Sequence, residues 1–97
     1  MICVSLARGR HRYLLTELRH LGQQGVDLVE LRLDCIQRKV QVKRLLADRP
    51  CPVIATCRRK QDGGHWERTE AERITVLRTA IAEGVDYVDL EEDIAKS

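Results

Sequence analysis

Apolar residues fall along this chain in short, largely β-branched runs separated by stretches of helical period. Ile2-Cys3-Val4-Ser5-Leu6 reads as a first strand. Tyr13, Leu14, Leu18 and Leu21 then recur at the spacing of one helix face, and Gly22 and Gly25 bracket the helix end. Asp27 to Leu33 makes a second strand. A basic helix from about Arg38 to Ala47 carries Val42, Leu45 and Leu46 as its apolar stripe, and Pro50 and Pro52 stop it. Val53 to Arg58 is the third strand. Thr69-Glu70-Ala71-Glu72 has the Thr-x-x-Glu order of a capping box. The helix it opens carries Ile74, Leu77, Ala80 and Ile81 and ends at Gly84, before a fourth strand from Val85 to Leu90.

Strands alternating with helices predict βαβ units and a parallel sheet. An internal echo bears on the architecture. Gly25-Val26-Asp27-Leu28-Val29-Glu30-Leu31 returns as Gly84-Val85-Asp86-Tyr87-Val88-Asp89-Leu90, an offset of 84 − 25 = 59 residues. Two βα units of about thirty residues fill that interval. A regular repeat favours a closed barrel over an open sheet, although Gly-Val-Asp is also a common phrase where a helix gives way to a strand.

The second strand carries the clearest chemical signal. Val29, Leu31 and Leu33 share one face, suited to a cover of helices, while Glu30, Arg32 and Asp34 share the other. A strand buried on both faces reads as continuous hydrophobe, and this one does not. The third strand sets Ile54, Thr56 and Arg58 opposite Val53, Ala55 and Cys57; the first places Ser5 beside Cys3; the fourth sets Asp89 and Glu91 opposite Val88 and Leu90. Each strand therefore offers polar side chains near its C-terminal end, where barrel active sites form. The competing explanations are a structural ion-pair network, such as Glu30 with Arg58, or a face simply wetted in an open sheet. Convergence at one end favours a ligand site. Two arginines point to an anion and Glu30 to hydroxyl donors, so a polyhydroxylated carboxylic acid fits.

Other residues add less. Seventeen basic against fifteen acidic side chains leave a net charge of +2, with Arg58-Arg59-Lys60 the only basic run of three, and three aromatic residues among 97. Neither nucleic acid nor a membrane is expected as partner. Cys3, Cys35, Cys51 and Cys57 lack C-x-x-C spacing or a neighbouring His, which makes them reduced, structural residues rather than disulfides or metal ligands. No nucleotide fingerprint occurs. The loop Arg59-Lys60-Gln61-Asp62-Gly63-Gly64-His65-Trp66 suits either a tight turn or a mobile lid. His65 on that loop is expected to have no role, and His11 and His20 are expected to face solvent. Lys39, Lys43, Lys60 and Lys96 fall outside the strand interiors, where a nucleophilic lysine is expected.

Taken together, Ile2-Cys3-Val4-Ser5-Leu6, Val29-Glu30-Leu31-Arg32-Leu33-Asp34, Ala55-Thr56-Cys57-Arg58, Asp62-Gly63-Gly64 and Asp86-Tyr87-Val88-Asp89-Leu90 resemble type I 3-dehydroquinate dehydratase. The resemblance implies an α/β chain forming the first half of a (β/α)8 TIM barrel, four parallel strands and three helices. On this expectation residues 1–97 are a partial barrel domain truncated after the fourth strand. It further implies a cytoplasmic, homodimeric lyase of the shikimate pathway and aromatic amino acid biosynthesis. Such an enzyme converts 3-dehydroquinate to 3-dehydroshikimate through a Schiff base on a Lys, with a His moving protons and no cofactor. Ser5, Glu30, Arg32 and Arg58 fall on family substrate-binding positions; Asp62, usually Glu, and Asp89 would support them. No His or Lys here matches the catalytic pair, so the segment alone is expected to be inactive; as an open half-barrel with two exposed parallel edges it is expected to self-associate. A non-catalytic module that binds quinate-like acids through the same pocket is the alternative.

Overall fold

Two glycines set the frame on which the sheet is built. In the computed structural model, which describes residues 2–90, Gly25 and Gly84 both adopt left-handed φ values, 76° and 78°. Each ends a helix in a Schellman turn: Val26 N–H donates to Leu21 C=O at 3.3 Å, and Val85 N–H to Ala80 C=O at 3.1 Å. The aspartate two residues on then performs one task twice. Asp27 Oδ2 accepts the Ile2 N–H at 2.7 Å, and Asp86 Oδ2 accepts the Val53 N–H at 2.9 Å. The Gly-Val-Asp echo is thus a structural device, a helix exit followed by a carboxylate that satisfies the first N–H of the preceding strand.

The elements run β1 (Cys3–Leu6), α1 (His11–Gln23), β2 (Leu28–Arg32), a 3-10 turn (Leu33–Cys35), α2 (Val42–Leu46), β3 (Val53–Thr56), a second 3-10 turn (Lys60–Asp62), α3 (Glu70–Ala82) and β4 (Tyr87–Val88). The four strands are parallel and stand in the order β1-β2-β3-β4. A doubly wound sheet reverses its strand order; this one does not, and its helices cover one face. Val29, Leu31, Val53, Ala55 and Cys57 point to that face and meet Leu14, Leu18, Leu45, Leu77 and Ala80 in one buried cluster. Each large aliphatic side chain there contributes about 1.5–3 kcal/mol relative to exposure. The opposite face carries Ser5, Glu30, Arg32 and Thr56 in register: Ser5 pairs with Glu30, and Arg32 with Thr56.

Several expectations are corrected. The helix expected from Arg38 forms only over Val42–Leu46. Before it the chain is held in an irregular, non-helical path, because Gln37 N–H donates to Gly9 C=O and Gln41 N–H to His11 Nε2, both at 2.9 Å, and Val40 is buried. His11 is therefore not solvent-facing: it is 5% exposed and shares the inner face of α1 with Leu14 and Leu18. Tyr13, expected on that face, is 52% exposed, and Ile81 is 54% exposed. On α3 the inner row is Arg73, Leu77 and Ala80. Thr69 caps α3 as expected, its Oγ1 accepting the Glu72 N–H at 3.1 Å. Glu91 and Lys96 lie outside the described residues.

Candidate active site

Glu30 occupies the centre of the polar face. Its Oε1 accepts the Ser5 hydroxyl at 2.7 Å and its Oε2 the Thr56 hydroxyl at 2.8 Å, so one carboxylate joins β1, β2 and β3. The register places Ser5 directly beside Glu30, while Thr56 lies one pleat further along β3. Thr56 is fully buried. A carboxylate held this way keeps lone pairs for other hydroxyl donors.

One pleat onward, Arg32 is gripped by Asp34: Nε to Oδ1 at 3.2 Å and Nη2 to Oδ2 at 3.0 Å, a bidentate pair. The chain turns into a 3-10 helix after Arg32, and that turn brings the carboxylate back onto the guanidinium two residues earlier. Asp34 Oδ2 also accepts the His65 backbone N–H at 2.9 Å. Burial raises the proton affinity of Asp34, but the Arg32 hydrogen bonds and the N–H groups of His65 and Arg58 outweigh it, holding the carboxyl below its ordinary range.

Arg58 lies just past β3, where its Nε donates to Asp89 Oδ2 at 3.2 Å. The Asp89 N–H donates to Ala55 C=O at 3.0 Å, extending the β3–β4 pairing. The ion pair Glu30–Arg58 does not form: Arg58 takes Asp89, and Glu30 takes two hydroxyls. Asp62 pairs with Arg59 at 2.6 Å and, among the described residues, makes no hydrogen bond or ion pair to Glu30, Arg32 or Arg58.

The loop after β3 is a tight turn. Gly63 has φ 81°, and a Cβ on Gly64 would stand 2.1 Å from Arg58 O. That approach lets the Trp66 N–H reach Arg58 C=O at 3.3 Å in an isolated bridge. His65 contributes its backbone rather than its exposed ring. Arg73, fully buried, supports the loop from below: it forks onto Glu70 at 2.7 and 2.8 Å and donates to Cys57 C=O at 2.7 Å.

Ser5, Glu30, Arg32, Arg58 and Asp89 thus gather at the C-terminal strand ends, and Asp62 stands apart on its loop. Thr56 and Asp34, placed on the polar face by the alternation but assigned no role of their own at the site, join them. The signal for both was present, since each belongs to the polar alternation. Lys39, Lys43 and Lys60 lie outside the strands and exposed, and all four cysteines are free thiols. Among the described residues no cluster of three His, Cys, Asp or Glu side chains is placed to hold a metal, and no helix is long and apolar enough to cross a membrane. A polar cleft of about 480 Å³ opens beside Asp34, Gln37 and His65. A larger groove of about 670 Å³ lies between α2 and α3, but size does not make it the site, because none of Ser5, Glu30, Arg32 or Arg58 lines it.

A sequentially ordered parallel sheet with helices on one face and acid, arginine and hydroxyl groups on the other defines part of a (β/α)8-barrel protein with a polar site at the strand ends. The chain belongs to the type I 3-dehydroquinase family, whose model matches residues 2–97. It is 34% identical to the bifunctional 3-dehydroquinate dehydratase/shikimate dehydrogenase, chloroplastic, of Arabidopsis thaliana, over 98% of this chain and 16% of that protein. It is 44% identical to a 3-dehydroquinate dehydratase of Methanothermobacter thermautotrophicus, over 69% of this chain and 31% of the relative. The 3-dehydroquinate dehydratase of Geobacillus kaustophilus HTA426 superposes with a TM-score of 0.78 at 26% identity, covering 98% of this chain and 42% of that one. The chain thus spans well under half the length of each of these proteins.

Proposed function

We propose that this chain supplies the substrate-binding side of a 3-dehydroquinate dehydratase. The observation that carries the reading is the three-strand bridge Ser5–Glu30–Thr56, flanked by Arg32 on Asp34 and Arg58 on Asp89. Glu30, held by two hydroxyls, accepts from ring hydroxyls of the substrate. Arg58 contacts its carboxylate or a hydroxyl, and Arg32 orients ring hydroxyls and the catalytic groups. Asp89 orients Arg58, and Asp62 stands at the rim.

In the complete reaction a lysine condenses with the substrate ketone to an imine, a histidine moves the protons, and water leaves to give 3-dehydroshikimate, without a cofactor. Both catalytic groups come from barrel strands that this chain does not include. Residues 1–97 are on this reading a partial barrel domain of a cytoplasmic protein, homodimeric when its barrel is complete. The free thiols are in keeping with a reducing compartment. By itself the chain self-associates, since among the described residues β1 and β4 are the edges of the sheet and Ile2 and Tyr87 are exposed beside them; a compact monomer in sedimentation would contradict this.

The test is ligand-detected NMR of 3-dehydroquinate with the full chain. Binding is expected, and its loss in Glu30→Gln and Arg58→Ala while circular dichroism is retained. Treatment with borohydride should leave the mass of the chain unchanged. Binding that survives both substitutions overturns the site assignment; a trapped adduct overturns the placement of the catalytic lysine.

A further inference from the structure

Four of the seventeen basic residues, scattered in sequence, converge at one place away from the Glu30 group. Arg10 and Arg12 at the start of α1, Arg38 in the segment before α2 and Arg44 on α2 line one cavity of about 510 Å³, together with His11 and Tyr13. No aspartate or glutamate lines it. Among the described residues none of these four arginines has a carboxylate partner, whereas Arg8 pairs with Glu17 and Lys43 with Glu83 just outside.

The two walls are tied together by backbone contacts that do not involve those charges. Gln37 N–H on Gly9 C=O and Gln41 N–H on His11 Nε2 tie the segment after β2 to the start of α1. The Arg12 guanidinium lies over the Tyr13 ring, 4.8 Å from its centroid, and donates to the Tyr13 hydroxyl at 2.9 Å. Four like charges held around one concavity repel one another, and an anion seated among them removes that repulsion. The first turn of α1 carries no acidic residue and no side-chain cap, so its N–H groups add to the same field. Arg44 also disfavours a proton on His11, second to burial itself.

We propose that this cavity binds a phosphate-bearing small molecule, its oxygens held by the guanidinium forks of Arg38 and Arg44 from one side and Arg10 and Arg12 from the other. Planar guanidinium groups match phosphate oxygens two at a time, and the volume suits a small ligand. The cavity shares no residue with the Ser5–Glu30–Thr56 bridge, so this site stands whether or not 3-dehydroquinate binds there.

Calorimetric titration of the full chain with pyrophosphate, at about 0.15 M ionic strength to screen diffuse attraction, tests it. One saturable site is expected. Arg38→Gln with Arg44→Gln should weaken it by about tenfold or more, as befits the loss of two charge-assisted forks. Arg19→Gln with Arg78→Gln removes the same charge from exposed positions elsewhere and should leave the affinity unchanged. Circular dichroism checks that both variants fold, and the Gln41 amide resonance should move with pyrophosphate in the parent chain. Inorganic phosphate and a nucleoside diphosphate, run alongside, distinguish a free anion from an organic phosphate. No saturable binding, equal weakening in both double variants, or tight binding of a single-stranded oligonucleotide with none of pyrophosphate overturns the proposal.

Discussion

The Asp34 carboxylate and the His65 backbone N–H, 31 residues apart in sequence, stand 2.9 Å from each other. Through this contact the residue that orients Arg32 also fixes the loop following β3, so two neighbouring strand ends are set by one side chain.

Asp34→Asn should cost about 2 kcal/mol, the scale of hydrogen bonds to a buried charged group. Because the folded carboxyl titrates below its ordinary value of 3.8, its contribution is present in full above the unfolded value and is lost as pH falls through the folded one. Urea denaturation followed between pH 2 and about 7 should show the parent chain converging on Asp34→Asn at the acid end. A constant gap across that range would argue against the assignment.

The two glycines of the loop should respond differently to alanine. At Gly63 a Cβ meets nothing, and only the left-handed φ of 81° opposes it, a cost of about 1 kcal/mol. At Gly64 the added carbon collides with Arg58 backbone, so the loop itself must move. Gly64→Ala should shift Trp66 emission to the red and lower Tm further than Gly63→Ala does.

Arg73→Leu keeps apolar volume but removes the buried guanidinium that donates to the Cys57 carbonyl and forks onto Glu70, and should destabilise by about 2–4 kcal/mol in urea. Arg73→Lys keeps the charge and loses the fork onto Glu70, so it should recover only part of that loss. Full recovery by lysine would show that geometry at this position is unimportant.

His11 is held neutral by burial first and by Arg44 second, which lowers its proton affinity from the ordinary 6.5. The unfolded chain therefore binds the proton first as pH falls. Stability from this residue is complete above about pH 6.5 and declines below it until the folded value is passed. His11→Gln should remove that slope; retention of the slope would assign it elsewhere.

Much of the frame was legible because alternation is a local property. Val29, Leu31, Val53 and Ala55 are buried as their parity requires, and Glu30, Arg32 and Thr56 share the other face. The errors fall where a distant group decides. His11 is polar and near a chain turn, but a backbone N–H from Gln41 makes burial tolerable. Arg73 stands in the apolar row of α3 because Glu70 and the Cys57 carbonyl satisfy its donors there. The helix expected from Arg38 starts late because the Gln41 N–H, which would have bonded back to the Gln37 carbonyl, goes to His11 Nε2 instead. The sequence suggested Glu30 as an ion-pair partner for Arg58, and only the register of β4, which brings Asp89 beside it, and the hydroxyls of Ser5 and Thr56 decide otherwise.

The consecutive order of the strands has a consequence for how the chain is made. Each strand pairs with the one synthesised just before it, and none waits for a later segment to be inserted between. Asp27 closes the start of β1 as soon as β2 emerges, and Asp86 does the same for β3 when β4 arrives. The order therefore asks for no strand to be inserted between two that have already paired, and every strand pairing joins segments one βα unit apart in sequence.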